Sequence, residues 1–194
     1  MLHREQENRG KTRFAAGQTI RARRQELGLT LQNLAAKSGL SVPFISQVER
    51  NQASASLVSL MNLARALEVS VSTFMEIPLG EAPIRRRSSP QRIEIESPVE
   101  YVQLSAGMKF QQMDALLMII PPGHVFPIDQ REGEDFLYVL KGELQTELGE
   151  LKETLREGDS SHFNSRTPHT AANLTGEEVV LLYVGTPSVF KSEE

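Results

Sequence analysis

Between Met75 and Ile93 the spacing of apolar residues changes from helical to strand-like, so the chain must fold as two units rather than one. Upstream, Ile20, Arg21, Arg24 and Leu27 mark a first helix that stops at Gly28. Thr30 can cap a second, "LQNLAAKS", ended by Gly39, and Ser41 a third, "VPFISQVER", in which Pro43 falls in the tolerant first turn. Ser56 opens a fourth helix with Leu57, Leu60, Leu63, Ala64 and Leu67 on one face, and "SVSTFM" reads as a short fifth. Downstream come short alternating or apolar runs, "IEI", "EYVQL", "ALLMII", "FLYVL", "ELQTEL" and "EVVLLYV", punctuated by "PPGH", "LKGE" and "REGD". Their spacing predicts an all-β sandwich or barrel, with no helix and no internal repeat. The segment between, 77–92, holds three prolines, a glycine and "RRR" with little to bury, and reads as a linker. The expected units are therefore 14–76, 77–92 and 93–190.

Charge divides the same way. The chain has a net charge of −4, yet its first 92 residues are net positive and the remainder net negative. A basic front half suits a polyanion such as DNA, and an acidic back half does not. There is no cysteine, which excludes disulfides, thiolate zinc sites and a thiol nucleophile. The polar start "MLHREQENRGKTR" is unlike a signal peptide, and no run approaches a membrane span, so the expected location is the cytoplasm with no membrane partner.

Two short helices joined by a glycine turn, "LTLQNLAAKSGLSVPFISQVERN", form a helix-turn-helix pattern. Residues 14–76 resemble the phage-repressor-like helix-turn-helix family, the XRE or Cro/CI type, as an all-α five-helix domain. That resemblance makes 41–50 the recognition helix, its amino-terminal part lying in the major groove. Gln47 can pair with adenine N6 and N7, while Val42 and Pro43 can meet thymine methyls. The candidate DNA-binding set is Gln32, Ser41, Val42, Pro43, Phe44, Ser46, Gln47, Arg50 and Asn51. Arg50 and Asn51 are the candidates for phosphate. Gln32 stands beside Leu31, a position where the family often has a phosphate-binding glutamine. The resemblance also implies that Arg24 and Glu49 form a buried ion pair, a structural role rather than a DNA contact.

The back half resembles a cupin, an all-β double-stranded β-helix or jelly-roll barrel. Two stretches carry the likeness, "PPGHVFPIDQREGEDFLYVLKGEL" and "EGDSSHFNSRTPHTAANL". Where family members have two histidines this chain has Asp129 and Arg131. At the glutamate position it has Asp135, preceded by Glu134, and His169 remains. An arginine repels a cation and cannot become a ligand, so no catalytic set, metal or cofactor is expected. A set of Asp129, Asp135 and His169, helped by His124 or His162, is the alternative that would hold a metal. Asp129, Arg131, Glu134, Asp135 and His169 are instead the candidate effector-binding residues. Arg131 offers a fork for an anion, and the acids offer a seat for an ammonium group. The effector classes that fit are an amino acid, a peptide or a polyamine-related molecule.

The order of domains, and the closing "VGTPSVF", resemble bacterial regulators of the putrescine-utilisation repressor type. The expectation is a homodimeric transcription regulator, repressor rather than activator, that binds double-stranded DNA at a palindromic operator and is controlled by a small metabolite. The alternatives are a metal-dependent cupin enzyme, a dioxygenase or isomerase, fused to a DNA-binding domain, and a constitutive DNA-binding protein whose β domain only dimerises.

Overall fold

A computed structural model describes residues 16–75, 82–108 and 110–190. Four α-helices open it: α1 Ala16–Glu26, α2 Leu31–Ser38, α3 Val42–Glu49 and α4 Leu57–Ala66. Three begin where a short hydroxyl residue takes an orphan amide. Thr30 accepts from Asn33 N, Ser41 from Phe44 N and Ser56 from Ser59 N, at 3.1, 3.3 and 3.2 Å. Gly39 ends α2 at φ 69°, a conformation that suits glycine. α1 crosses the end of α3 closely because residue 17 is glycine; a Cβ there would meet the Val48 carbonyl and the Asn51 side chain.

The fifth helix expected in "SVSTFM" is instead a single 3-10 turn, Val71–Thr73. Ser70 bonds forward to Ser72 N, and a run of serine with β-branched Val and Thr has poor helix propensity, so the turn closes at once. The expected domain limits at 14, 15 and 76 and the first part of the linker lie outside the described residues. Gln91 and Arg92, at the end of the expected linker, already form a strand.

Nine strands follow: β1 Gln91–Arg92, β2 Glu100–Gln103, β3 Asp114–Ile120, β4 Glu134–Lys141, β5 Glu143–Leu148, β6 Leu151–Arg156, β7 Ser160–Asn164, β8 His169–Ala172 and β9 Val179–Gly185. They make a six-stranded sheet in the order β1-β2-β3-β9-β4-β7 and a three-stranded sheet in the order β6-β5-β8. The run "IEI" lies outside the named strands. Ile93 N still bonds to the Tyr101 carbonyl, but Ile95 N turns back to Ile93 O and ends the ladder. Strands β6, β7 and β8 were not among the expected runs. The segment 125–129 extends the smaller sheet through bridges Val125–Ala172 and Asp129–His169. Among the described residues no helix is long and apolar enough to cross a membrane.

The two faces of the larger sheet differ in what they meet. Leu116, Met118, Leu137 and Leu181 point inward and line a chamber between the sheets. The alternate residues point outward, and Leu117, Ile119, Phe136, Tyr138, Val180 and Leu182 make that face apolar as well. An antiparallel sheet with one face in water ordinarily alternates apolar with polar residues.

Helix α4 joins the two units. Leu57 N donates to the Tyr101 hydroxyl at 3.3 Å, and Asn62 Nδ2 to the Ile128 carbonyl at 3.3 Å. Arg65 Nη1 donates to the Gln130 carbonyl at 2.9 Å and Nη2 to Asp129 Oδ1 at 3.0 Å. Its other face, with Leu60 and Leu63, is buried in the helical unit, which explains why the helix is apolar nearly all round.

Candidate DNA-reading surface and barrel site

On α3, Ile45, Val48 and Glu49 are buried, whereas Pro43 and Gln47 are exposed and Val42 and Ser46 half-exposed. The face that can reach a groove is therefore narrow and runs from Val42 to Gln47. Ser41 serves as the cap, and Phe44 packs against the core. Arg50 Nε donates to the Ser46 carbonyl at 3.0 Å, which aims the guanidinium along the helix. Asn51 sits at φ 54°, a left-handed conformation that asparagine tolerates. Gln32 is exposed in the first turn of α2.

Behind that surface, Arg24 Nε and Nη2 donate to Glu49 Oε1 and Oε2 at 2.6 and 2.9 Å, and Nη1 donates to the Leu29 carbonyl at 2.8 Å. The two side chains are 12% and 5% exposed. The fork-to-fork bond fixes α1 against α3, and its first effect is to hold the Arg24 pKa above the ordinary arginine value.

At the barrel mouth, β4 supplies Asp135, β9 supplies Tyr183, and the 125–131 segment supplies Asp129 and Arg131. Arg131 is the hub, with a side chain only 8% exposed. Nη2 donates to Asp135 Oδ1 and, at 2.6 Å, to the Tyr183 hydroxyl, while Nη1 donates to the Thr186 carbonyl at 2.6 Å. Nε lies 3.4 Å from Asp129 Oδ2 without a hydrogen bond. Asp135 also accepts from Tyr183 OH at 2.8 Å and from Ser165 Oγ at 2.8 Å, and His169 Nε2 lies 3.4 Å from its Oδ2. His169 Nδ1 faces the Thr167 carbonyl at 2.8 Å.

Burial works against charge on Arg131, but Tyr183, Asp135 and Asp129 outweigh it, and its pKa is raised. Burial pushes the Tyr183 phenol well up, Asp135 adds to this and Arg131 opposes it, so the hydroxyl stays protonated at neutral pH. Gly185 makes the cluster possible. A Cβ there would collide with the Tyr183 hydroxyl and crowd Asp135.

Four of the five expected effector residues, Asp129, Arg131, Asp135 and His169, thus converge. Glu134 does not: it points out of the barrel and meets His162 at 3.2 Å on the surface. His124 packs edge-on against Phe126, and burial lowers its pKa. Tyr183 and Ser165 are partners that the sequence reading did not single out. The alternation of "VVLLYV" places Tyr183 on the inward face with Leu181, and that was the available signal.

The cupin fold implies a metal at this position, and these side chains do not fit one. Both oxygens of Asp135 accept hydrogen bonds, Asp129 Oδ1 accepts from Arg65 and Gln130 N, and a guanidinium stands between the two acids. Among the described residues no three His, Asp or Glu side chains are grouped as metal ligands. Arg131 supplies the positive charge itself.

Tyr183→Phe removes one bond to Asp135 and one to Arg131 from a buried network. It is expected to lower stability by about 1–3 kcal/mol, measured by denaturant unfolding, with the fold retained.

The sequence matches two family models, one described as Helix-turn-helix over residues 20–74 and one as Cupin domain over 116–185. It is 32% identical over 83 residues to the HTH-type transcriptional regulator SutR of Escherichia coli (strain K12), covering 43% of this chain and 47% of that one. The chain thus spans about half the length of that relative. It is 25% identical over 180 residues to the HTH-type transcriptional regulator PuuR of the same organism, covering 91% of this chain and 97% of that one. A solved structure of an HTH_3 family transcriptional regulator from Vibrio cholerae matches in fold, with a TM-score of 0.56 and 19% identity over 89% of this chain and 95% of that one.

Proposed function

We propose that this chain, a helix-turn-helix domain joined to a cupin domain, is a sequence-specific transcription regulator: a cytoplasmic homodimer that represses from a palindromic operator and yields to a small molecule bound in the barrel. The observation that carries the reading is the presentation of α3. A helix capped by Ser41 and clamped from behind by Arg24–Glu49 offers Val42, Pro43, Ser46 and Gln47 to a groove. Such a helix can read bases through Gln47 and be positioned through Arg50, Asn51 and the amino end of α2 with Gln32.

Selection of binding sites from random duplex DNA tests this. Gln47→Ala is expected to relax preference at one base pair per half-site, at a cost of roughly 1–3 kcal/mol. Arg50→Ala is expected to weaken all sequences alike and to reduce the salt dependence by about one phosphate contact. An unchanged consensus for Gln47→Ala would remove that residue from the reading surface.

The barrel in this reading senses rather than catalyses, because the acids that would hold a metal are committed to Arg131, Arg65 and Tyr183. Asp129 and Asp135 are buried on the chamber wall, and Asp129 Oδ2, 3.4 Å from Arg131 Nε without a hydrogen bond to it, is the carboxylate oxygen left for a cation at the polar end of the chamber. That supports the ammonium end of an amino acid, a peptide or a polyamine-related molecule as the group received, with His169 beside it. Holding an anion on Arg131 would require release of Asp135. In calorimetric titrations with amino acids, dipeptides, diamines and short carboxylic acids, binders are expected among the amines. Asp129→Asn is expected to weaken the best of them by about tenfold or more, the worth of one charge-assisted bond. Binding by carboxylic acids alone would reverse the assignment.

A further inference from the structure

The chamber between the sheets is not closed by the barrel alone. Leu57, Val58 and Met61 of α4 line it together with barrel residues such as Leu116, Leu137 and Phe163. Its volume is about 100 Å³. Sites for metabolite-sized ligands measure roughly 300–1,000 Å³, so the chamber as it stands is too small for one. Next to it lies an open cleft of about 630 Å³ between α4 and the barrel rim, lined by Ala64, Arg65, Gln130 and Arg131 among others. Met61 and Val189 border both spaces.

We infer that the small-molecule site is shared between the two domains, with α4 of the helix-turn-helix unit as its movable wall, and that a ligand with an apolar body occupies it by displacing α4 or Met61 from the chamber. The inference rests on the reading of the barrel as a small-molecule site and adds where that site ends.

The walls differ in stiffness. On the barrel side, β3 and β9 are joined by a continuous ladder from Asp114 to Ile120, β9 and β4 by one from Asp135 to Val139 that then bulges, and their separation would orphan backbone groups. On the other side α4 is held by two side-chain bonds to carbonyls, one backbone bond to Tyr101 and the Arg65–Asp129 pair, whose arginine is 45% exposed. That pair joins a half-exposed arginine to a buried carboxylate, and none of these ties belongs to a ladder. Met61, unbranched and with several rotatable bonds, is the side chain best able to move between chamber and cleft. The remaining face of α4 is buried against its own domain through Leu60 and Leu63, and α2, which packs against both α4 and α3, passes a shift of α4 on to the recognition helix. Occupancy of the barrel is thereby converted into a position of the recognition helix through one intervening helix, α2.

The chain contains neither cysteine nor tryptophan, which allows a test without a ligand. Cysteines at exposed Gln52 and Glu150, spin-labelled in the full-length protein, report the distance between the domains. Leu137→Trp/Leu181→Trp overfills the chamber from the barrel strands β4 and β9. The expected result is a shifted or broadened distance distribution, with amides 57–66 exchanging about tenfold faster or more while β3 and β9 stay protected. Should the double variant lose cooperative unfolding, the milder Leu181→Phe is read in the same way. Unchanged distance and unchanged α4 protection in a folded variant, with loosening confined to the strands, overturn the inference and leave the operator-binding reading intact. A displaced α4 with unaltered operator affinity supports the shared site and counts against regulation through it.

Discussion

Glu49→Ala is expected to destabilise the helix-turn-helix unit by about 3–5 kcal/mol, because it leaves the Arg24 charge buried without its partner. Two of the three hydrogen bonds that Arg24 makes end on Glu49, and the third, to the Leu29 carbonyl, cannot neutralise it. Water reaches little of either side chain, so solvent does not take the place of the carboxylate. Glu49→Gln keeps the shape and one acceptor and should lose less. Replacing both residues with leucine should recover much of the loss, since a buried ion pair is worth little over an apolar pair of similar volume. Far-UV circular dichroism in urea reads all three variants. A loss below about 1 kcal/mol for Glu49→Ala would mean that the pair is solvated in solution. Because Glu49 faces inward, the sequence preference of protein that remains folded should be unchanged.

Leu182→Glu is expected to lower operator affinity by about 10²–10⁴-fold by splitting the proposed dimer. Leu182 is central in the outward apolar face, paired across strands with Leu117 on one side and Tyr138 on the other. A second copy of this sheet is the occupant proposed for that face, since a two-fold axis would bring the same patch onto itself. Two helix-turn-helix units held in one dimer can meet half-sites about 34 Å apart, one turn of DNA, and the second contact then costs no separate encounter. The glutamate would place like charges against each other across the axis. Sedimentation should show a folded monomer, and removal of residues 81–194 should weaken binding to a similar degree. A variant that remains dimeric, or a monomer that binds the operator as tightly, would refute the proposed face.

What could be read from the sequence depended on how local the cause was. The caps at Thr30, Ser41 and Ser56 act over three residues, and each is found where the sequence puts it. "SVSTFM" has a cap and apolar ends but too few helix formers between them, and it closes as one turn. Strands β3, β4 and β9 carry long apolar runs because the sheet is apolar on both faces. "LKETLR", "SSHFN" and "HTAA" carry no such run; every residue in them is exposed or half-buried, and their pairing is set by β4 and β5 rather than by their own pattern. At the site, the replacement of histidines by Asp129 and Arg131 was visible, but the saturation of Arg131 was not. Its partners, Tyr183 and the Thr186 carbonyl, lie more than fifty residues further on. Likewise Val58 and Met61 announce that α4 has a second apolar face, but not what covers it.

Arg131 also fixes what the sensor depends upon. The positive charge between Asp129 and Asp135 is covalently part of the chain, so it cannot dissociate, exchange or change oxidation state. A barrel that borrows its cation from solution answers to the supply of that ion as well as to its ligand. On the reading proposed above, this barrel would answer to its ligand without drawing on the supply of a metal ion.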